Sequence, residues 1–298
     1  MTQNTSARSP RSTLRRAAGT ATLAGAVMAP IGFAASATAS VIPTTIGRGA
    51  PVISVSNVQA DGTIWVLAGR GHNRTMTKVD VASGAFVTSE SVSPQASAIA
   101  QSPNGDVALG TSNGRSSAVI LYGGATGNYV GTVRVSGPVT ALAMGPTGQK
   151  VYALEATKPN RTLFVFDQTH QGFPYQVGAD AVDVAPVSGG SDIWILHADG
   201  TLDEMSFFPN EVVKSINVGA RAKSLAVSPD GNTLYVLAGA PGKAKHLSTF
   251  SPSGARTTGS VALPKGTSDL ALSVSGTTIY AAESGTRSGI VAAIPVKG

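Results

Sequence analysis

The phrase SLAVSPDGNTLYVL, from Ser224 to Leu237, returns in variant form five more times along this 298-residue chain. The other copies are ISVSNVQADGTIWVL from Ile53, AIAQSPNGDVAL from Ala98, ALAMGPTGQKVYAL from Ala141, VDVAPVSGGSDIWIL from Val182 and DLALSVSGTTIYAA from Asp269. Their turn glycines, Gly62, Gly105, Gly148, Gly190, Gly231 and Gly276, are spaced by 43, 43, 42, 41 and 45 residues. A period of about 40 to 45 residues built from short strands marks the blades of a β-propeller. The expected fold is therefore an all-β, six-bladed propeller.

Each repeat alternates or clusters apolar residues between Gly, Pro, Asn and Asp, which is strand and hairpin patterning with no helical period. The first hairpin turns at Pro229, Asp230 and Gly231, where Pro presets a negative φ, Asp bonds its own backbone and Gly accepts a positive φ. A second hairpin follows in each repeat, so a blade holds four strands, A to D in chain order. The last repeat stops at Gly298 one strand short. The stretch Thr44–Ile53 aligns with a strand D, its loop and the next strand A, so the N-terminal part of the chain is expected to complete the sixth blade and close the ring. Trp65, Tyr152, Trp194, Tyr235 and Tyr280 recur at one place in strand B, where Ala108 stands in the second repeat. That recurrence is read as packing between blades.

Residues 1–39 read as an export signal. Arg8, Arg11, Arg15 and Arg16 form a positive start, Ala17 to Ala35 is apolar and small, and Ala37–Thr38–Ala39 supplies a cleavage site before Ser40. The remainder, 40–298, is expected to be a single propeller domain with no transmembrane segment, secreted or associated with the cell envelope, and monomeric. Four of the 22 basic residues lie in the leader, which leaves 18 against 16 acids, a net of +2. No Cys is present, so no disulfide contributes.

SPDGNTLYVL resembles the consensus of the YVTN family of bacterial β-propellers, within the wider lactonase-like and quinoprotein-like group. The resemblance spans the repeats of the whole propeller. It implies secretion and a binding or scaffold role, and it carries no catalytic residue onto this chain. That family is typically seven-bladed, which makes seven blades the alternative count.

Local chemistry is sparse. His72, His170, His197 and His246 stand apart from one another and from carboxylate pairs at metal-ligand spacing, so no metal or cofactor is assigned. His72, His197 and His246 fall between strands B and C, with Glu155, Asp180, Asp199 and Glu283 as the acids of the same face. They are the material for an alternative reading, a lactonase- or lyase-type enzyme with a metal or His site at the central channel. No catalytic residue is assigned.

Charge placement carries the functional reading. In a propeller the D–A and B–C connections share one face. That face collects Arg48, Arg70, Arg74, Arg115, Lys158 and Arg161 from the first three repeats, then Arg221, Lys223, Lys243, Lys245, Lys265 and Arg287 from the last three. Twelve basic residues against four acids make it +8, and the rest of the protein −6. Such a face attracts an anionic cell-envelope polymer or an acidic protein by a field that salt screens. It lacks the interleaved aromatics of single-strand binders, so nucleic acid is not expected. Asn73–Arg74–Thr75 matches Asn160–Arg161–Thr162, and such recurrence also suits a shared structural job for the two arginines.

Overall fold

The structure is a computed structural model. It describes residues 40–41 and 50–296, apart from 113–115, 125–126, 168, 188, 190–191, 254–255, 274 and 285–288. The leader and the stretch 42–49 lie outside the described residues.

Six antiparallel four-stranded sheets form, each in the order A-B-C-D. Blade 1 spans 52–92, blade 2 96–135, blade 3 139–177, blade 4 181–217, blade 5 222–263 and blade 6 267–295. There are six blades and not seven. The hairpins turn as their residues dictate: Gly231 has a φ of 72° and donates its N–H to Ser228 O at 2.8 Å. Asp230 Oδ1 accepts from Asn232 N and from Ser228 Oγ, which preorganises the loop.

The sixth sheet takes its fourth strand from the N-terminal side. Ser40–Val41 pairs antiparallel with the last strand, Gly289–Pro295, in the register Ser40 to Ala293 and Val41 to Ala292. The pairing sits upstream of Thr44, where the repeat alignment begins. The backbone bonds across this seam tie the two ends of the chain into one sheet, so blades 1 and 6 cannot part without breaking a ladder.

Six clusters of buried apolar residues fill the six seams between blades. The recurring aromatics of strand B explain this placement, since each reaches the following blade. Trp65 joins Ala96 and Ile99 of blade 2, Trp194 joins Leu225 and Phe250 of blade 5, and Tyr280 joins Val52 and Ile64 of blade 1. Tyr152 stacks on Phe207 of blade 4 with ring centroids 6.0 Å apart. Burial of side chains this large dominates the free energy of each seam. The seam between blades 2 and 3 is the exception. Ala108 contributes almost nothing there, and Phe166 enters from the blade 3 side instead.

Candidate functional site: the central channel and the basic rim

The A strands of all six blades line a central channel of about 200 Å³. Each A strand carries an irregularity at the same step, where one residue drops out of register with strand B. The extra residues are Ile53, Ser97, Thr140, Val182, Lys223 and Ser268. A bulge of this kind re-aims the side chains that follow it. The next position in each blade holds Ser54, Ala98, Ala141, Asp183, Ser224 and Asp269, and all of these but Ser224 line the channel.

Four of those six side chains form an arc of bonds that passes from blade 4 through blades 5, 6 and 1 to blade 2. Asp183 Oδ2 accepts Leu225 N of blade 5 at 2.8 Å. Ser224 Oγ accepts Leu270 N of blade 6 at 3.2 Å. Asp269 Oδ2 accepts Val55 N at 3.0 Å and Ser54 Oγ at 2.8 Å, both of blade 1. Ser54 Oγ then accepts Ile99 N of blade 2 at 3.4 Å. Ala98 and Ala141 offer no acceptor, so blades 2 and 3 lack the clasp.

The two carboxylates belong to this scaffold. Asp269 Oδ1 also accepts Ser224 Oγ at 3.1 Å and its own Leu270 N at 2.9 Å, so four donors occupy its four lone-pair directions. Asp183 Oδ1 accepts Val184 N at 2.9 Å. Burial pushes the Asp183 carboxyl up to about 7, with the Asp269 charge adding to the rise, and burial likewise raises Asp269. Their oxygens are spent on backbone N–H groups and hydroxyls, which leaves little capacity for acid or base work on a channel ligand.

The histidines sit away from the channel wall. His197, almost fully buried, places Nδ1 3.0 Å from Asp180 Oδ1 and Nε2 3.3 Å from Asp203 Oδ2. Both ring nitrogens are thus engaged, and Ser215 Oγ holds Asp203 in turn. His72 and His246 are exposed. Glu155 has no exposed surface; its Oε2 accepts Gly137 N at 2.8 Å, Oε1 has no partner, and burial raises its pKa. Asp199 Oδ1 caps Thr201 N in a B–C turn. Among the described residues, no three His, Asp or Glu side chains converge as a metal site.

The basic residues divide into two groups. Arg74 donates from Nη1 to Ala96 O at the start of blade 2, and Arg161 donates from Nε to Ala179 O at 3.3 Å and from Nη1 to Thr140 Oγ1 at 3.0 Å. The matching arginines do the same job, fastening strand C to the approach of the next blade. Lys245 is buried, and its Nζ donates to Gly239 O and Ala240 O at 2.9 and 2.6 Å. Burial lowers its pKa, and the Lys223 charge adds to the effect. Lys245→Met should therefore leave two loop carbonyls unpaired and cost about 1–2 kcal/mol of stability, measured by urea unfolding. The second group is exposed: Arg70, Lys158, Arg221, Lys223, Lys243 and Lys265. Arg48, Arg115 and Arg287 lie outside the described residues. Sequence counting had no means of separating these groups, because a loop position does not reveal whether a side chain turns inward.

No family model matches the chain, and no curated protein matches it. Solved structures do. A hydrazine synthase chain from Kuenenia stuttgartiensis superposes with a TM-score of 0.60 at 14% identity, over 80% of this chain and 75% of that one. The β-propeller domain of Cps50 (Swd1) from Myceliophteria thermophila superposes with a TM-score of 0.61 at 14% identity, over 86% of this chain and 99% of that one. The shared feature is the β-propeller. At this identity the likeness concerns the fold alone, a fold that hosts both binding and catalysis. The described residues contain no helix long and apolar enough to cross a membrane.

Proposed function

We propose that this propeller is an exported, non-enzymatic binding module that engages an anionic polymer or acidic protein of the cell envelope through its D–A and B–C loops. One observation carries the reading. Arg221, Lys223, Lys243 and Lys265 are exposed in one sector, on blade 5 and its junction with blade 6, and none makes an ion pair among the described residues. Lys223 stands on the channel wall itself. Its charge reaches the buried Lys245, which makes this sector a place where positive charge is concentrated without compensation. The leader sequence supports export, and the bonding of Asp183, Asp269 and His197 into the scaffold favours binding over catalysis.

The test uses polygalacturonate as the probe. The protein should bind it at low salt and release it at high salt, because exposed charges are screened beyond a Debye length. Reversing Arg221, Lys223, Lys243 and Lys265 to Glu should weaken binding by about tenfold or more without changing the unfolding midpoint substantially. Binding that ignores both salt and the four reversals would overturn the proposal.

A further inference from the structure

We propose that the opposite face, which carries the A–B and C–D turns, holds a second docking groove centred on blade 2, and that its occupant is a segment of a partner protein bearing lysine or arginine beside bulky apolar side chains. This inference does not rest on the proposed role of the basic face.

Three cavities open on this face and share walls. The first, about 300 Å³, is the far mouth of the central channel, and a ring of prolines from consecutive blades, Pro103, Pro146, Pro186 and Pro229, makes it largely apolar. Gln59, Ala60, Gln101 and Pro103 also line the second, a cleft of about 250 Å³ running outward between blades 1 and 2. Tyr122 joins that cleft to the third, about 230 Å³, between blades 2 and 3. The third is walled by Leu121, Val130, Met144 and Val151, and Met144 returns to the first. Blade 2 is therefore flanked by grooves on both sides.

The third cleft has a cause in the sequence. It lies on the seam where Ala108 replaces the aromatic that the other five repeats supply. The apolar surface continues outward, for Tyr129 and Val130 at the start of the outer strand are 63% and 59% exposed. Exposed apolar groups contiguous with a groove mark interaction sites.

Charge selects the occupant. Asp61 and Glu90 line the second cleft, and Asp106 and Asp167 line the third. Lys78, paired to Asp61 at 3.0 Å, is the one base among the lining residues of the two. Hydroxyls of Thr63 and Thr169 hold Asp61 and Asp167 in the charged form, each being the largest influence on its carboxyl. The second and third clefts, walled by a net −3 and the third largely apolar, repel acidic segments and favour a cationic, apolar one.

Three fluorescein-labelled hexapeptides test this with the full propeller by anisotropy: alternating leucine–lysine, serine–lysine and leucine–glutamate. The leucine–lysine peptide should bind at least about tenfold more tightly than serine–lysine, and leucine–glutamate should not bind. Asp106→Asn with Asp167→Asn should weaken leucine–lysine binding by about fivefold or more. These variants should fold, since each keeps the Oδ1 that accepts Gly124 N or Thr169 N. Val130→Ser, at an exposed site, should weaken it too. No leucine–lysine binding, equal binding of serine–lysine, or indifference to both sets of variants would each overturn the proposal.

Discussion

Asp269→Ala is expected to lower the unfolding free energy by about 2–3 kcal/mol, the larger part of it from one seam. The wild-type carboxylate accepts from Ser54 Oγ and Val55 N in blade 1, from Ser224 Oγ in blade 5, and from its own Leu270 N. The Ser54 hydroxyl lines the channel and can turn toward water once the carboxylate is gone. The amide of Val55 cannot, because Val55 is buried and its N–H is fixed by the strand. Loss of an acceptor from a buried donor costs more than the net value of the bond, which sets the sign and most of the size. Relief of the unfavourable charge between Asp269 and Asp183 offsets part of the loss at neutral pH. Asp269→Asn should fall between wild type and Ala, since an amide oxygen can keep one pair of donors but its NH2 opposes the other. Urea unfolding checks the series through the midpoint at unchanged slope. A cost under about 0.5 kcal/mol for Asp269→Ala would mean that the arc of bonds along the channel does not hold these blades together.

The contrast between the seams and the channel shows what a sequence of this kind makes legible. A repeat is visible when the same residue type returns at the same place, as Trp65, Tyr152, Trp194, Tyr235 and Tyr280 do. Their packing across seams follows from radial repetition, and it is what the structure has. The channel arc uses one repeat position too, but with Ser, Ala, Ala, Asp, Ser and Asp in turn, so no single residue type marks the position. Its placement depends on a bulge in every A strand, and period-two alternation cannot register an extra residue before the ladder is known. One signal was available: Asp183 and Asp269 interrupt strands that are otherwise apolar, VDVAP and DLALS, where a carboxylate needs partners. The closing strand was legible in kind, and the stretch 44–49 that the repeat alignment offered for it lies outside the described residues. Ser40–Val41 matches no other D strand by composition, and only its backbone pairing identifies it. Among the cations, Lys245 shows the same limit, because charge counting places it on a loop face while its stem carries the ammonium inward to Gly239 O and Ala240 O.

The same two aspartates should make the protein more stable in mild acid than at alkaline pH, the reverse of ordinary acid denaturation. Burial raises the folded-state pKa of Asp183 to about 7 and raises that of Asp269, whereas both carboxyls titrate near the ordinary 3.8 when unfolded. Between those values the folded chain binds more protons than the unfolded one, so unfolding free energy falls as pH rises through the window from about 4 to about 7. The stabilisation is complete below the unfolded pKa and lost above the folded one. Glu155 and Glu283, also raised by burial, act with the same sign. Asp61, Asp180 and Asp230 are lowered, and their contribution disappears only on acidification below their ordinary value, outside this window. Urea midpoints should therefore rise from about pH 8 to about pH 5, by an amount equivalent to on the order of 2 kcal/mol. Asp183→Asn isolates the pair's share, because every other titrating group is common to both proteins. The variant keeps an acceptor for Leu225 N, removes the charge that Asp269 opposes, and should flatten the pH slope while gaining stability at pH 8 relative to wild type. A slope that survives Asp183→Asn unchanged would place the origin of the pH dependence outside the channel.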